Sequence, residues 1–170
     1  MGYPVHHADR AVHAALRKGG AGVKLIAKLF PESLRRGAID RKILGGLVFG
    51  QPKKLQQLEK ILHPLVWKAE KKFLQQARAQ KAAIAILEIP LLFETGGEKR
   101  FDAVICVTAS RKVQTARVLA RPGMTAARLK SILARQMPDK DKRRLADFVV
   151  RTDAGLQDTR KKLRDIINKL

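Results

Sequence analysis

Ala82-Ala83-Ile84-Ala85-Ile86-Leu87-Glu88-Ile89-Pro90-Leu91-Leu92-Phe93-Glu94-Thr95-Gly96-Gly97 is the stretch that decides the architecture of this chain. Its apolar run does not alternate, and it ends in proline and a glycine pair. The pattern predicts a strand over 82–92 buried on both faces, delivering polar groups to a loop at 95–97. A second continuous run follows over 101–108 and carries the lone cysteine, Cys106. Strands of this kind belong to parallel sheets with helices on either side, so the predicted class is α/β. In such folds ligands bind beyond the carboxyl ends of the strands.

Towards the N-terminus, Pro4-Val5-His6-His7-Ala8-Asp9 reads as a short strand tipped by a carboxylate. A helix over 9–16 is predicted to stop at Lys18-Gly19-Gly20-Ala21-Gly22, a turn with no preceding strand and no following Lys-Ser/Thr that would make it a phosphate cradle. A helix over 23–30 is halted by Pro31. Asp40 is placed to cap a further helix with Ile43, Leu44, Leu47 and Val48 on one face. Beyond Pro52, Leu55, Leu58, Leu62, Leu65, Ala69 and Phe73 recur at helical steps, and Pro64 is expected to kink that helix or start a new one.

Towards the C-terminus, Ser110 is predicted to cap a helix carrying Val113, Arg117 and Arg121 on one side, broken by Pro122-Gly123-Met124. Thr125 caps the next, with Leu129, Ile132, Leu133 and Gln136 in register. A last strand over 147–150 and an amphipathic helix through Leu163, Ile166, Ile167 and Leu170 complete the pattern. No linker composition or repeat divides the 170 residues, so one domain is expected.

Lysine and arginine number 36 against 15 acids, a formal charge of +21. Two readings stay open: an anionic partner, or solvated helix faces. Nucleic acid is disfavoured, because aromatic residues are only 5% and no nucleic-acid-binding motif occurs. A single cysteine permits no internal disulfide, which fits a reducing, cytoplasmic setting. No apolar run approaches a membrane span.

Asp9, Glu88 and Asp147 sit at or near strand ends, where a carboxylate can take a hydroxyl proton or hold a metal's water shell. A helix cap or a surface acid is the competing account for each. Arg117 and Arg121 are four residues apart on one predicted helix face, so their guanidinium groups can converge on the same phosphate oxygens. Mere solvation is their alternative. These features suggest phosphoryl transfer, although no Gly-x-x-x-x-Gly-Lys-[Ser/Thr] loop occurs. His6, His7 and His13 crowd the first strand–helix turn, but a metal site there is rejected because His7 and Asp9 are too close for a helical metal pair.

Several strings, in order, carry a resemblance. Val5-His6-His7-Ala8-Asp9 resembles a V-x-D-A-D turn; Ile39-Asp40-Arg41, Leu58-Glu59 and Leu62-His63-Pro64-Leu65-Val66 resemble an I-D-R…L-E…H-P-L-V stretch. Ile89-Pro90-Leu91-Leu92-Phe93-Glu94 is similar to an I-P-L-L-F-E signature. Arg117, Arg121, Gln136-Met137-Pro138, Lys142 and Ala146-Asp147-Phe148-Val149-Val150 complete the order. The family they resemble is dephospho-coenzyme A kinase, and the resemblance runs over nearly the whole chain.

That resemblance implies a three-layer, P-loop kinase-like α/β domain over 1–170, with a helical substrate-binding region at about 15–80 and a lid at about 111–140. It implies transfer of the ATP γ-phosphoryl group to the 3′-hydroxyl of dephospho-coenzyme A, with Mg2+ as cofactor. Asp9 matches the general base, and Arg117 and Arg121 match cations that bind ATP phosphates. Asp40, Arg41, His63, Leu92, Phe93 and Glu94 match substrate-binding positions. Glu88, where the family usually has Asp, would orient the magnesium shell through water. His7 replaces the first Asp of the D-A-D turn, His13 a common Arg, Pro122 a usual Asp and Thr152 a common Asn. In the family a strand, phosphate loop and helix of roughly two dozen residues precede the Val5 turn. Their lack here predicts a truncated reading frame, a missing central strand and weak ATP binding. The alternatives are an inactive, substrate-binding remnant or a basic nucleic-acid-binding protein.

Overall fold

The computed structural model describes residues 2–170. The chain divides into two compact units, Gly2–Pro90 and Leu91–Leu170.

The first unit runs β1 (Val5–His7), α1 (Ala8–Leu16), α2 (Val23–Leu29), β2 (Leu34–Arg35), β3 (Ala38–Ile39), α3 (Arg41–Val48), α4 (Pro52–Ala79) and β4 (Ile86–Glu88). Its core is helical: Leu16, Val23, Ile26, Phe30, Ile39, Leu44, Val48 and Leu58 are buried together, with Val12, Leu47, Leu55, Ile61 and Leu62 packed against them. The α1–α2 connection depends on glycine, since a Cβ at Gly20 would run into the Ala15 carbonyl oxygen. That contact lets the Gly22 N–H donate to Ala15 O at 3.0 Å and folds α2 back. The glycine cluster is thus a turn, as predicted.

Asp40 caps α3: its Oδ1 accepts from Lys42 N at 2.9 Å and Ile43 N at 3.0 Å. Those backbone donors, Ile43's above all, hold the Asp40 carboxyl below its ordinary range against the opposing effect of desolvation. Of the two outcomes expected at Pro64, a new helix does not start there, for α4 runs as one helix with Pro64 inside it. A proline in mid-helix forfeits one backbone bond. The apolar stripe of α4 ahead of it joins the core through Leu55, Leu58, Ile61 and Leu62.

β1 and β4 pair in parallel, Val5 opposite Ile86, His6 opposite Leu87 and His7 opposite Glu88. The strand expected over 82–92 is therefore confined to Ile86–Glu88. β1 supplies only three rungs, and Pro90 has no N–H with which to continue. The segment 90–96 turns instead.

The second unit contains β5 (Ile105–Thr108), α5 (Arg111–Leu119), α6 (Ala126–Leu133), α7 (Asp139–Leu145), β6 (Phe148–Arg151) and α8 (Leu156–Ile167). β5 and β6 pair in parallel from Ile105↔Phe148 to Thr108↔Arg151. Val104, Cys106, Val150 and Ile167 are buried. Cys106 is a small core hydrophobe whose thiol burial pushes up. Asp147 is structural, its Oδ2 accepting from Val104 N at 2.8 Å. Ser110 stands at the start of α5, but its hydroxyl makes no capping bond, whereas Thr125 Oγ1 accepts from Arg128 N at 3.2 Å as expected.

The class is α/β with parallel strands. Full coverage of both strand faces is not found, since Val5 is 45% and Val107 60% exposed. β5 alternates instead, with Cys106 and Thr108 buried on one side and Val107 open on the other. Among the described residues the strands form the pairs β1–β4 and β5–β6 and the hairpin β2–β3.

Candidate active site

Both strands of the β1–β4 pair end on the same side, because they are parallel. His7 closes β1 and Glu88 closes β4, and just beyond those ends lies a pocket of about 160 Å3 lined by His7, Asp9, Arg10, Glu88 and Pro90. The local sequence explains the placement. His7 is extended at φ −112°, ψ 113° and turns the chain directly into α1, so Asp9 falls in the first helical turn. The helix begins at Ala8 with His7 as its N-cap and no side-chain capping bond, so Asp9 does not fill the capping role that competed with catalysis. Asp9 and Glu88 are brought together, as two carboxylates in one pocket. His7 Nδ1 contacts Glu88 Oε2 across the rung they share.

The other expected residues lie elsewhere. Asp40 spends an oxygen on the α3 cap, and Arg41, the first residue of that helix, is exposed. His63 lies on α4 with its ring 6.1 Å from that of Trp67. Leu92, Phe93 and Glu94 belong to the second unit, in the 90–96 turns and not on a strand. Glu94 is tied inward: Lys142 Nζ lies 2.6 Å from its Oε1, which also accepts from Met137 N at 3.0 Å. Burial pushes the Glu94 carboxyl up, but the Lys142 and Met137 bonds outweigh it and leave the group below its ordinary range.

Arg117 and Arg121 do not share a helix face. α5 ends at Leu119, and Arg121 lies beyond it in the turn, because a residue before proline is pushed out of helical conformation. Gly123, at φ +73°, completes the break. Arg117 donates from Nη1 to Thr152 Oγ1 and from Nη2 to Thr152 O, both at 2.9 Å. Arg121 instead borders a groove of about 250 Å3 between α5 and α6, with Arg111, Gln114, Thr115 and Gln136 polar and Val118, Met124, Leu129, Ile132 and Leu133 apolar.

Sequence reasoning missed the His7–Glu88 contact and Arg10 at the pocket. Their signal was the strand register: once β1 and β4 pair to their last residues, His7 must face Glu88. Among the described residues no cluster of three or more His, Cys, Asp or Glu could cage a metal.

Parallel strand pairs wrapped by helices, with a carboxylate pocket at the strand ends and arginine-bearing helices, define an α/β fold of the nucleotide-kinase class. The profile of the dephospho-CoA kinase family matches residues 1–158. The dephospho-CoA kinase of Mesorhizobium japonicum is 47% identical over 169 residues, covering 99% of this chain and 85% of that protein. That of Brucella melitensis is 46% identical over 169 residues, covering 99% and 84%. Among solved structures, TT1252 from Thermus thermophilus has a TM-score of 0.79 at 35% identity, covering 99% of this chain and 85% of that one. The dephospho-CoA kinase of Campylobacter jejuni has a TM-score of 0.71 at 25% identity, with the same coverage. The chain belongs to the dephospho-CoA kinase family. It is an ATP-dependent kinase by that membership, and its reaction is phosphoryl transfer to dephospho-coenzyme A.

Proposed function

We propose that Asp9 is the general base of this transfer, accepting the proton of the 3′-hydroxyl as it attacks the γ-phosphorus of ATP. The observation that carries the assignment is the pocket at the carboxyl ends of β1 and β4, where Asp9 is free of any capping bond and shares the lining with Glu88. A carboxylate suits the task because the hydroxyl needs only an acceptor at the moment of attack.

Glu88 is the second carboxylate of that pocket. Magnesium takes oxygen ligands and keeps several waters, being held by one or two carboxylates together with substrate phosphates. Asp9 and Glu88 fit that demand through water, and no all-protein cage is required. Bound there, the ion would neutralise phosphate charge. Arg117 and Arg121 are the cations for the phosphates of ATP. Thr152 takes one N–H from each terminal nitrogen of Arg117, leaving further donors on a braced guanidinium. Arg121 presents its charge from the rim of the α5–α6 groove.

The helical part of the first unit, with Arg41 and His63, is the region for dephospho-coenzyme A, and Asp40 contributes by holding the start of α3. Leu92, Phe93 and Glu94 act through the turn that Glu94 anchors. The buried free Cys106 suits a reducing cytoplasm.

The test is Asp9→Asn, which keeps size and polarity but cannot take the proton. Coenzyme A formation is expected to fall by about 10²–10⁴ in kcat, with dephospho-coenzyme A affinity by calorimetry unchanged. Undiminished turnover in the Asn variant would remove Asp9 from the role.

A further inference from the structure

The pocket holds two acids, Asp9 and Glu88, and one of them needs something to hold it in place. Glu88 is the more mobile of the two by its chemistry: its side chain is long, 65% exposed, and projects from the last residue of a three-residue strand. Left alone, such a carboxylate would sample solvent-facing rotamers and pay entropy to adopt any one of them. His7 is its opposite number. It occupies the last rung of β1, is itself only 32% exposed, and carries a short, flat side chain that turns about only two torsions. Its Nδ1 meets one oxygen of Glu88, Oε2. The imidazole thus occupies one carboxylate oxygen and leaves the other for the pocket.

We propose that His7 is a positioning residue of the active site, donating its Nδ1–H to Glu88 Oε2 across the β1–β4 rung and so fixing the Glu88 carboxylate beside Asp9. The proposal rests on the reading of Asp9 and Glu88 as the working carboxylates and adds the residue that orders one of them. Its sequence correlate is on the same rung: histidine stands at position 7 and the longer acid, Glu, at position 88. The extra methylene of Glu gives the reach to meet an imidazole across a parallel pair, whose facing side chains lie side by side and not tip to tip. Partners that orient a metal-facing ligand in this way commonly matter by one to two orders of magnitude when removed.

Two measurements on the full chain test it. In long-range 15N–1H correlation spectra, with His7 assigned from its loss in His7→Gln, Glu88→Gln is expected to move the His7 Nδ1 signal. The signals of His13 and His63 should stay in place. An unmoved His7 signal overturns the proposal whatever the enzyme does.

In turnover assays, His7→Leu and Glu88→Gln are each expected to lower kcat on the order of tenfold with little change in KM for dephospho-coenzyme A. The double variant should be no worse than either single, and His7→Asn, which keeps an N–H near the place of Nδ1, should recover most of the loss. Thermal midpoints should stay level across the set. Additive losses, or no loss in His7→Leu, overturn the proposal. Asp9→Asn separates the two readings. Full activity in that variant removes the general base but leaves a coupled His7–Glu88 pair, whereas an inactive Asp9→Asn alongside uncoupled His7 and Glu88 overturns only the positioning role.

Discussion

Lys142 Nζ lies 2.6 Å from Glu94 Oε1, with the two side chains only 17% and 15% exposed. Glu94 is fixed from a second side by the Met137 N–H, while its other oxygen is buried without a hydrogen-bond partner. The acid of the Pro90-Leu91-Leu92-Phe93-Glu94 string thus fastens the 90–96 turn to the α6–α7 connection and the first half of α7.

Removing one member of this pair should cost more than a surface ion pair would. Lys142→Met leaves a largely buried carboxylate facing a methyl group and is expected to destabilise by about 3 kcal/mol. Glu94→Gln keeps a hydrogen-bonding group and should cost about 2 kcal/mol. The sign of the pH dependence separates them. The folded carboxyl of Glu94 is held below its ordinary range, so its contribution is complete above the unfolded value of about 4.3 and fades as pH falls through the folded value. In Lys142→Met burial prevails and the folded carboxyl should rise instead, so that variant should recover stability on mild acidification from neutral pH. Urea melts between pH 7 and pH 3 read both slopes, and a parallel fall in the parent and Lys142→Met would refute the account.

The two arginines should part company when tested. Arg117→Ala breaks two bonds to Thr152, whose hydroxyl in turn donates to Thr108 O at 3.1 Å, so the link between α5 and the end of β6 is lost. A stability loss of about 1 kcal/mol is expected, accompanied by weaker use of ATP. Arg121→Ala touches no such network and should leave the melting curve alone while lowering kcat/KM for ATP by about 10². Equal thermal losses in the two variants would contradict this division.

How much was legible follows from the kind of signal each element sends. The β1–α1 corner could be read from sequence because a short β-like run, Pro4-Val5-His6-His7, leads directly into a helical pattern, and Asp9 then follows by position. The α3 cap was equally open, since Asp40 stands immediately before an apolar-periodic run. Strand lengths were not legible. An apolar run such as 82–92 shows what can be buried, but a strand extends only as far as its partner, and β1 offers three rungs. α7 was missed because Asp139-Lys140-Asp141-Lys142-Arg143-Arg144-Leu145 has no apolar stripe. It is held by polar contacts instead, Thr108 Oγ1 to Asp139 Oδ1 at 2.5 Å and Lys142 to Glu94. The carboxylate pair of the site was visible as two acids at strand ends, whereas the contact between His7 and Glu88 required the register.

His6 offers a pH test independent of catalysis. Its ring lies 5.3 Å from that of Phe73, its Nε2 is buried without a partner, and burial holds the imidazole below its ordinary value despite the opposing charge of Glu70. A depressed folded value means the unfolded chain takes up the proton first. Stability is therefore complete above about pH 6.5 and lost as pH falls towards the folded value. His6→Phe removes the titrating group and should flatten the thermal midpoint between pH 7 and pH 5, by comparison with the parent. An unchanged slope would show that other groups govern that range.

The hairpin formed by β2 and β3 carries strain that a single substitution should release. Leu34 pairs with Ile39 and Arg35 with Ala38, leaving Arg36 and Gly37 as a two-residue loop at φ 49° and 79°. Positive φ at both central positions is the turn whose twist matches that of paired strands, and it is favoured by Asn-Gly rather than Arg-Gly. A residue with a Cβ held there costs roughly 1 kcal/mol, less for asparagine. Ile39, at the end of β3, is buried in the helical core of its unit, so the loop's strain bears directly on that core. Arg36→Asn is accordingly expected to stabilise by about 0.5 kcal/mol. Gly37→Ala should destabilise by about 1 kcal/mol, from backbone strain and not from crowding, since the nearest atom to an added Cβ is the flexible Lys18 side chain at 3.6 Å. Paired urea melts decide the matter: a destabilised Arg36→Asn would mean that the arginine side chain contributes more to the hairpin than its backbone conformation costs.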